Sequence, residues 1–298
     1  MLARWLRILL LLQALIGAGL GYALCQGWLA ALVGAVAAPL ATSAGVCQLS
    51  AWEARNGEGA ALWWQALLGE WVAALRIYAL RQPWASNAPT LQPPTRTPTR
   101  APVVLVHGYL CNHRLWDDVV RALRAQGHAV LAINLEPVFA SIDDYAAQVQ
   151  AAVAALRQHT QAAQVALVGH SMGGLAIRAW MRTYGTSQAC RVLTLGTPHQ
   201  GTRIQPGTGS SPNGRQMQWH SPWLHTLAAS EDTSARTLMR LALTAQDNIV
   251  FPQRAQVLPG LTPKVFTGMG HLQMCLDPGV IGWVCAELAD LPLVHGAQ

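Results

Sequence analysis

The residues best suited to chemistry lie in Gly169-His170-Ser171-Met172-Gly173-Gly174. The apolar run QVALVGH (164–170) leads into Ser171, and a helix-compatible stretch carrying Leu175, Ile177 and Trp180 follows it. That context fits a strand–turn–helix in which the turn presents a serine hydroxyl as a nucleophile. Such a turn is tight and strains the serine backbone, so small residues are required at Gly169 and Gly173. It also leaves the hydroxyl at a helix N-terminus, where backbone N–H groups can stabilise developing negative charge. With 26 glycines in the chain, the Gly-x-Ser-x-Gly spacing alone carries little weight; its position between strand and helix carries more.

A serine hydroxyl needs a general base, and the base needs a partner that orients it. After a turn of this kind the chain order is Ser, acid, His. Downstream of Ser171 stand His199, His220, His225, His271 and His295. His271 closes PKVFTGMGH (263–271), which reads as a short strand, a Gly-rich loop and then the imidazole. His199 precedes every candidate acid, His220 and His225 fall in an irregular stretch, and His295 is in the tail. The acids between are Glu231, Asp232 and Asp247. Asp247 follows the strand-like run TLMRLALTAQ, where a carboxylate meets an imidazole at a sheet's C-terminal edge, whereas Asp232 reads as a helix cap. The expected triad is therefore Ser171, Asp247 and His271. For the oxyanion, the backbone N–H of Met172 and that of Tyr109 are the expected donors. Gly108 lets the backbone come close, and His107 braces that loop. No HExxH and no Cys pair at CxxC spacing is present, so neither a metal nor another cofactor is expected.

The elements that must position these groups alternate. PVVLVH (102–107), HAVLAINL (128–135), QVALVGH and RVLTLGTP (191–198) read as buried strands. Helical patterns lie between them, at 114–126, at 141–159 behind a Ser141/Asp144 capping box, and after Met172. Strand, helix and strand in turn predict an α/β fold with a mostly parallel central sheet. Residues about 200–235 break the rhythm, combining glycines with Met217, Trp219, Trp223, Leu224 and Leu227. Two readings fit that stretch: a lid or acyl-pocket wall, and a cap packed on the sheet.

Of 298 residues, 52% are hydrophobic and only 11% charged, against about 25% charged in an ordinary soluble domain. The imbalance is concentrated at the N-terminus, where no formal charge occurs between Arg7 and Glu53. ILLLLQALIGAGLGYAL (8–24) makes a helix about 25 Å long, and a second apolar stretch runs from Trp28 to about Ser50, with Pro39 inside it. A cleaved signal peptide and a helical hairpin turning near Gln26-Gly27 both fit the start. The length of the apolar run favours anchoring in a bilayer. Arg4 and Arg7 at one end and Arg55 at the other would hold both ends on the cytoplasmic side. The expected location is a bacterial inner membrane, with the face of the catalytic part open. Residues 60–81, with Trp63, Trp64, Trp71 and Tyr78, fit a helix lying in the membrane interface, and equally one packed on the rest of the protein. The expected organisation is an anchor region over 1–85, a Pro/Thr-rich linker over 86–101 and a catalytic domain over 102–298. The net charge of +6 comes from scattered arginines with no basic run, so no nucleic-acid partner is expected. No protein partner is inferable. Six cysteines are too few for a disulfide scaffold in this length.

LVHGY, GHSMGG, LGTPHQGT and GMGHL, in this order and spacing, resemble the bacterial lipase and esterase group of the α/β hydrolases over about residues 102–290. HGYLCNHRLW is also similar to proteobacterial lipase-like proteins with hydrophobic N-termini, and Gly196-Thr197-Pro198-His199 to a loop lining the acyl pocket in such enzymes. The resemblance implies cleavage of carboxylic esters, lipid or acylglycerol esters among them, without a cofactor. An acyltransferase or thioesterase with the same triad, and a silent lipid- or partner-binding protein, are the alternatives.

Overall fold

Residues 1–85, 88, 90–96, 99–204 and 210–295 are described by the structure, a computed structural model. Among them, short β-branched and aliphatic runs form six strands: β1 (Val103–Val106), β2 (Val130–Ile133), β3 (Val165–His170), β4 (Ala189–Leu195), β5 (Met239–Thr244) and β6 (Lys264–Phe266). All pair in parallel, in the order β2-β1-β3-β4-β5-β6. Parallel strands need crossovers, and the helices that supply them cover both faces of the sheet. This is the α/β arrangement expected from the alternating pattern.

Side chains on a strand point alternately to opposite faces, so β1 feeds two buried clusters. Val104 and Val106 face α5 (Ile142–Thr160) and α6 (Met172–Tyr184), meeting Tyr145, Val149, Val153, Leu175 and Trp180. Val103 and Leu105 face α4 (Asp117–Ala125) and a late helix (Pro278–Leu288), meeting Val119, Leu123, Val280 and Val284. The start of α5 carries the capping box: Ser141 Oγ accepts from the Asp143 amide at 3.2 Å, and Asp144 accepts from the Ser141 amide at 3.3 Å.

The N-terminal stretch folds as α1 (Leu2–Cys25) and α2 (Trp28–Ala54), joined at Gln26-Gly27 with Gln26 left-handed at φ 52°. The pair is antiparallel and tightly packed. Gly17 meets Gly34 and Gly21 meets Ala30 so closely that a Cβ at any of these glycines would overlap the opposing backbone. Small residues at such crossings are how apolar helices associate without a hydrophobic driving force. The outer surface remains apolar, with Leu11, Leu15, Leu20, Leu29, Val33 and Val36 all exposed.

α3 (Ala60–Leu75), continued by a π-helical turn (Arg76–Arg81), lies between the hairpin and the α/β part. Trp63, Ala66, Glu70, Ala73 and Ala74 are buried, and Ala73, Ala74 and Ile77 join the cluster under β1 and α4. Trp64, Leu68 and Val72 form an exposed apolar stripe on the opposite side. The buried face packs on the rest of the protein, one of the two arrangements expected for 60–81. Within the linker, Gln92 bridges to Val130 of β2 and Arg100 to Pro292, so its described residues run along the α/β part instead of hanging free.

The 200–235 stretch forms α7 (Pro212–Gln216), α8 (Pro222–Ala229) and, just beyond, α9 (Thr233–Thr237). Met217, Leu224 and Leu227 are buried against α5 and α6, as in a packed cap. Residues 205–209, in the Gly-rich part of the same stretch, lie outside the described residues. All six cysteines are free thiols, Cys275 and Cys285 included.

Candidate active site

β3 delivers Ser171 directly to the N-terminus of α6. Its backbone sits at φ 55°, ψ −128°, a conformation that costs a residue with a Cβ about 1–3 kcal/mol. The surroundings over-determine it. The Ser171 amide donates to Leu195 O at 2.8 Å, and the Gly174 amide donates to Ser171 O at 3.1 Å. A Cβ on Gly173 would collide with the Val106 carbonyl and lie 2.6 Å from that of His107; one on Gly169 would lie 2.6 Å from the Gly174 amide. The helix can therefore start against β1 only with glycines at both flanks.

The loop after β1 faces the serine. A Cβ on Gly108 would lie 2.7 Å from the Ser171 Cβ, so Gly108 is where the main chain closes on Ser171. His107 is buried and braces this loop from both ring nitrogens. Its Nε2 accepts from the Leu135 amide at 3.0 Å, so Nδ1 carries the proton and donates to Gly108 O at 2.8 Å. Burial lowers the His107 pKa to about 4, which keeps it neutral in this role. Tyr109 follows, its ring tilted against Phe139 at 5.8 Å between centroids. The Met172 amide opens α6, in the first turn, where N–H groups lack intrahelical acceptors.

Asp247 and His271 come from the ends of β5 and β6 and meet as a buried pair. His271 Nδ1 and Asp247 Oδ2 are 2.8 Å apart, and the two residues are 3% and 2% exposed. The other carboxylate oxygen, Oδ1, accepts from the Ile249 and Val250 amides at 2.9 and 2.7 Å, which fixes the plane of the acid. Burial alone would lower the His271 pKa. The charge and hydrogen bond of Asp247, with the charge of Glu70, outweigh burial and raise it. His170, beside Ser171, touches the His271 ring at 4.5 Å between centroids and donates from Nε2 to His271 O at 3.1 Å. Burial, then the charge of His271, hold the His170 pKa far below its ordinary value, so this neighbour stays neutral. Among the described hydrogen bonds none involves the Ser171 hydroxyl. In resting hydrolases the serine–imidazole bond is often long and tightens as substrate binds.

Ser171, Asp247, His271, Gly108 and the two amide-bearing turns thus converge at the C-terminal edge of the sheet. The other candidates go elsewhere. His199 is buried, accepting from Arg178 Nη1 at 3.3 Å and donating to Thr194 Oγ1 at 3.0 Å. Glu231 pairs with Arg178, a bond between the cap and α6 in which both groups are buried. Asp232 caps α9 by accepting from the Ala235 amide at 2.8 Å. His220 lies between Trp219 and His225, and His295 bridges to Ala162.

Two contributors were invisible to motif reading. Asn248 Oδ1 accepts from the His271 amide at 3.1 Å, while its Nδ2 donates to Ser50 Oγ of α2 at 2.8 Å. Glu70 of α3 accepts from the Leu272 and Gln273 amides. The only trace of the latter in sequence is a lone acid in an otherwise uncharged helix.

A sequence profile of the alpha/beta hydrolase family matches residues 103–293. Two curated relatives, triacylglycerol lipases of Pseudarthrobacter phenanthrenivorans and Burkholderia plantarii, are each 29% identical over 188 residues, 56% of this chain. The chain covers 58% and 52% of their respective lengths, a little over half of each. Among solved structures, the mature Bacillus licheniformis lipase BlEst2 superposes with a TM-score of 0.57 at 18% identity, covering 69% of this chain and 99% of that one. Aspergillus fumigatus lipase B gives 0.55 at 15% identity, covering 67% and 55%. At these identities the structures speak for the fold, and the profile, spanning most of the chain, for descent: this chain belongs to the alpha/beta hydrolase family.

Proposed function

We propose that this protein is a membrane-anchored serine hydrolase that cleaves carboxylic esters of lipids, acylglycerols among them. The observation that carries the reading is Ser171 held at positive φ beside a buried, hydrogen-bonded Asp247–His271 pair. Ser171 Oγ attacks the ester carbonyl carbon, and His271 Nε2 takes its proton. Asp247 holds Nδ1–H and stabilises the imidazolium. The Met172 and Tyr109 amides receive the tetrahedral oxyanion. His271 then protonates the leaving alcohol, and water deacylates Ser171 by the same route. The name triacylglycerol lipase on both curated relatives supports the lipid ester class. The test is turnover of p-nitrophenyl esters of increasing chain length by detergent-solubilised protein. Rising kcat/KM with chain length supports a lipase, and a preference for short acyl chains an esterase. A folded protein without turnover on any ester would sink the enzyme reading and leave a binding protein.

The anchoring part rests on the hairpin. α1 and α2 are long, apolar and exposed outward. Leu2 at one end is buried, and Ser50, Ala51 and Ala54 at the other pack on the catalytic part, so the Gln26-Gly27 turn is distal. Arg4, Arg7 and Arg55 lie at the ends near the catalytic domain, which the positive-inside bias assigns to the cytoplasmic face of a bacterial inner membrane. Cys25, beside the turn, is exposed, whereas Cys47, Cys111, Cys275 and Cys285 are buried. A membrane-impermeant maleimide added to intact cells is expected to label the wild type and not a Cys25→Ser variant. Labelling at Cys25 only after lysis would reverse the orientation.

A further inference from the structure

Glu70 is the sole acid of α3 and is 2% exposed. Among the described residues no Arg or Lys pairs with it. Its carboxylate instead spans two backbone donors, Oε1 accepting from the Leu272 amide and Oε2 from the Gln273 amide, both at 3.0 Å. These are the two peptide groups directly after His271. The loop closes round this point. A Cβ on Gly270 would lie 2.6 Å from Glu70 Oε2, and one on Gly69 would lie 2.5 Å from the Gln273 side-chain amide carbon. Gln273 Oε1 accepts in turn from the Gly270 amide at 3.3 Å.

A buried carboxylate without a cation is costly, so its retention calls for a reason beyond packing. Two converging N–H groups demand an acceptor at both positions. A carboxylate offers only acceptors, whereas an amide would turn its NH₂ toward one of the donors. We infer that Glu70 is a positioning residue for the catalytic base: from α3 it clamps the turn after His271 and adds a second negative charge beside the imidazole. This rests on the reading of His271 as the general base. The charge favours the imidazolium that forms as Ser171 gives up its proton. The helix following the membrane hairpin thereby becomes part of the catalytic apparatus.

The surroundings make the effect dependent on pH. The titratable groups facing Glu70 are His271, Asp247, Cys47, Tyr78, Cys111 and Cys275. Burial raises the Glu70 pKa to about 7, against the pull of the two amides and the imidazole. As pH falls through that value, Glu70 takes up a proton and loses its charge and one acceptor position. The Glu70 charge helps to raise the His271 pKa, so each group's hold on its proton depends on the other. The two titrate as a coupled pair. The acid limb of kcat/KM is therefore expected to be steeper than one proton allows.

The experiment uses full-length protein in detergent, with active sites counted by fluorophosphonate burst and kcat and KM measured on one soluble p-nitrophenyl ester across pH. Glu70→Gln is expected to lower kcat per active site about 10- to 100-fold with KM little changed. Its acid limb should fall to a one-proton slope and move to lower pH. If Glu70→Gln does not fold, Gly270→Ala, whose methyl displaces the carboxylate without deleting it, is expected to lower kcat in the same way. A folded Glu70→Gln, or failing that Gly270→Ala, with the wild-type kcat would overturn the inference, as would a Glu70→Gln acid limb like that of the wild type. A wild type that neither labels nor turns over removes the general-base reading itself, a distinguishable result.

Discussion

Ser171→Ala is expected to abolish fluorophosphonate labelling and to lower ester turnover by about 10⁴- to 10⁶-fold, with the fold intact. Fold and activity separate here because of what the hydroxyl does at rest. Among the described hydrogen bonds none involves it, so its removal orphans no buried partner. Alanine keeps a Cβ at φ 55° and inherits the same backbone strain, so stability should shift by less than about 1 kcal/mol. Ser171→Gly, free of that strain, should be equally inactive and melt higher than Ser171→Ala. Mass spectrometry of the labelled peptide and thermal melts check both halves. Labelling that persists in Ser171→Ala would move the nucleophile elsewhere.

Asp247→Asn is expected to lower kcat/KM by about 10⁴-fold near neutral pH, and the geometry dictates how. Oδ1 of Asp247 receives the Ile249 and Val250 amides. In an asparagine only the carbonyl oxygen can occupy that position, which turns the NH₂ toward His271 Nδ1. An NH₂ there needs an unprotonated Nδ1 and drives the proton to Nε2. The imidazole then has no lone pair for the Ser171 proton. KM should change far less than kcat/KM, and ¹⁵N resonances of His271 should report the altered tautomer. Wild-type activity in Asp247→Asn would leave the acid role to another carboxylate.

The packing of the N-terminal region gives these loops an unusual support. The loop after β5 hangs from α2 through Ser50 and Asn248, and the loop after β6 from α3 through Glu70. Gln253, in the segment after Asp247, adds a bond from its Nε2 to Ala54 O at 2.9 Å. A chain beginning at residue 102 would retain the sheet and the elbow yet leave the backbone after His271 and the Asn248 amide without these partners. The anchor proposed for the bilayer and the frame of the Asp247–His271 pair are one piece of structure.

The sequence alone was sufficient for the features governed by local rules. Buried parallel strands read as short β-branched runs because both faces are covered, and the amphipathic α5 shows its period and its Ser141 cap. The strand–turn–helix around Ser171 was legible because the steric demands of the turn leave only glycine beside it. Among five histidines and three acids, chain order and strand ends singled out His271 and Asp247, the pair that the structure brings into contact. Tertiary structure alone decided the rest. That α3 turns one face to the α/β part and another outward, that Glu231 is committed to Arg178, and that Asn248, Ser50 and Glu70 support His271 are contacts between residues far apart in the chain. Hydrophobic periodicity states that a face is buried but not against what. A lone carboxylate in an apolar helix is the same in sequence whether it meets water, an arginine or two peptide N–H groups, and only the packed chain distinguishes them.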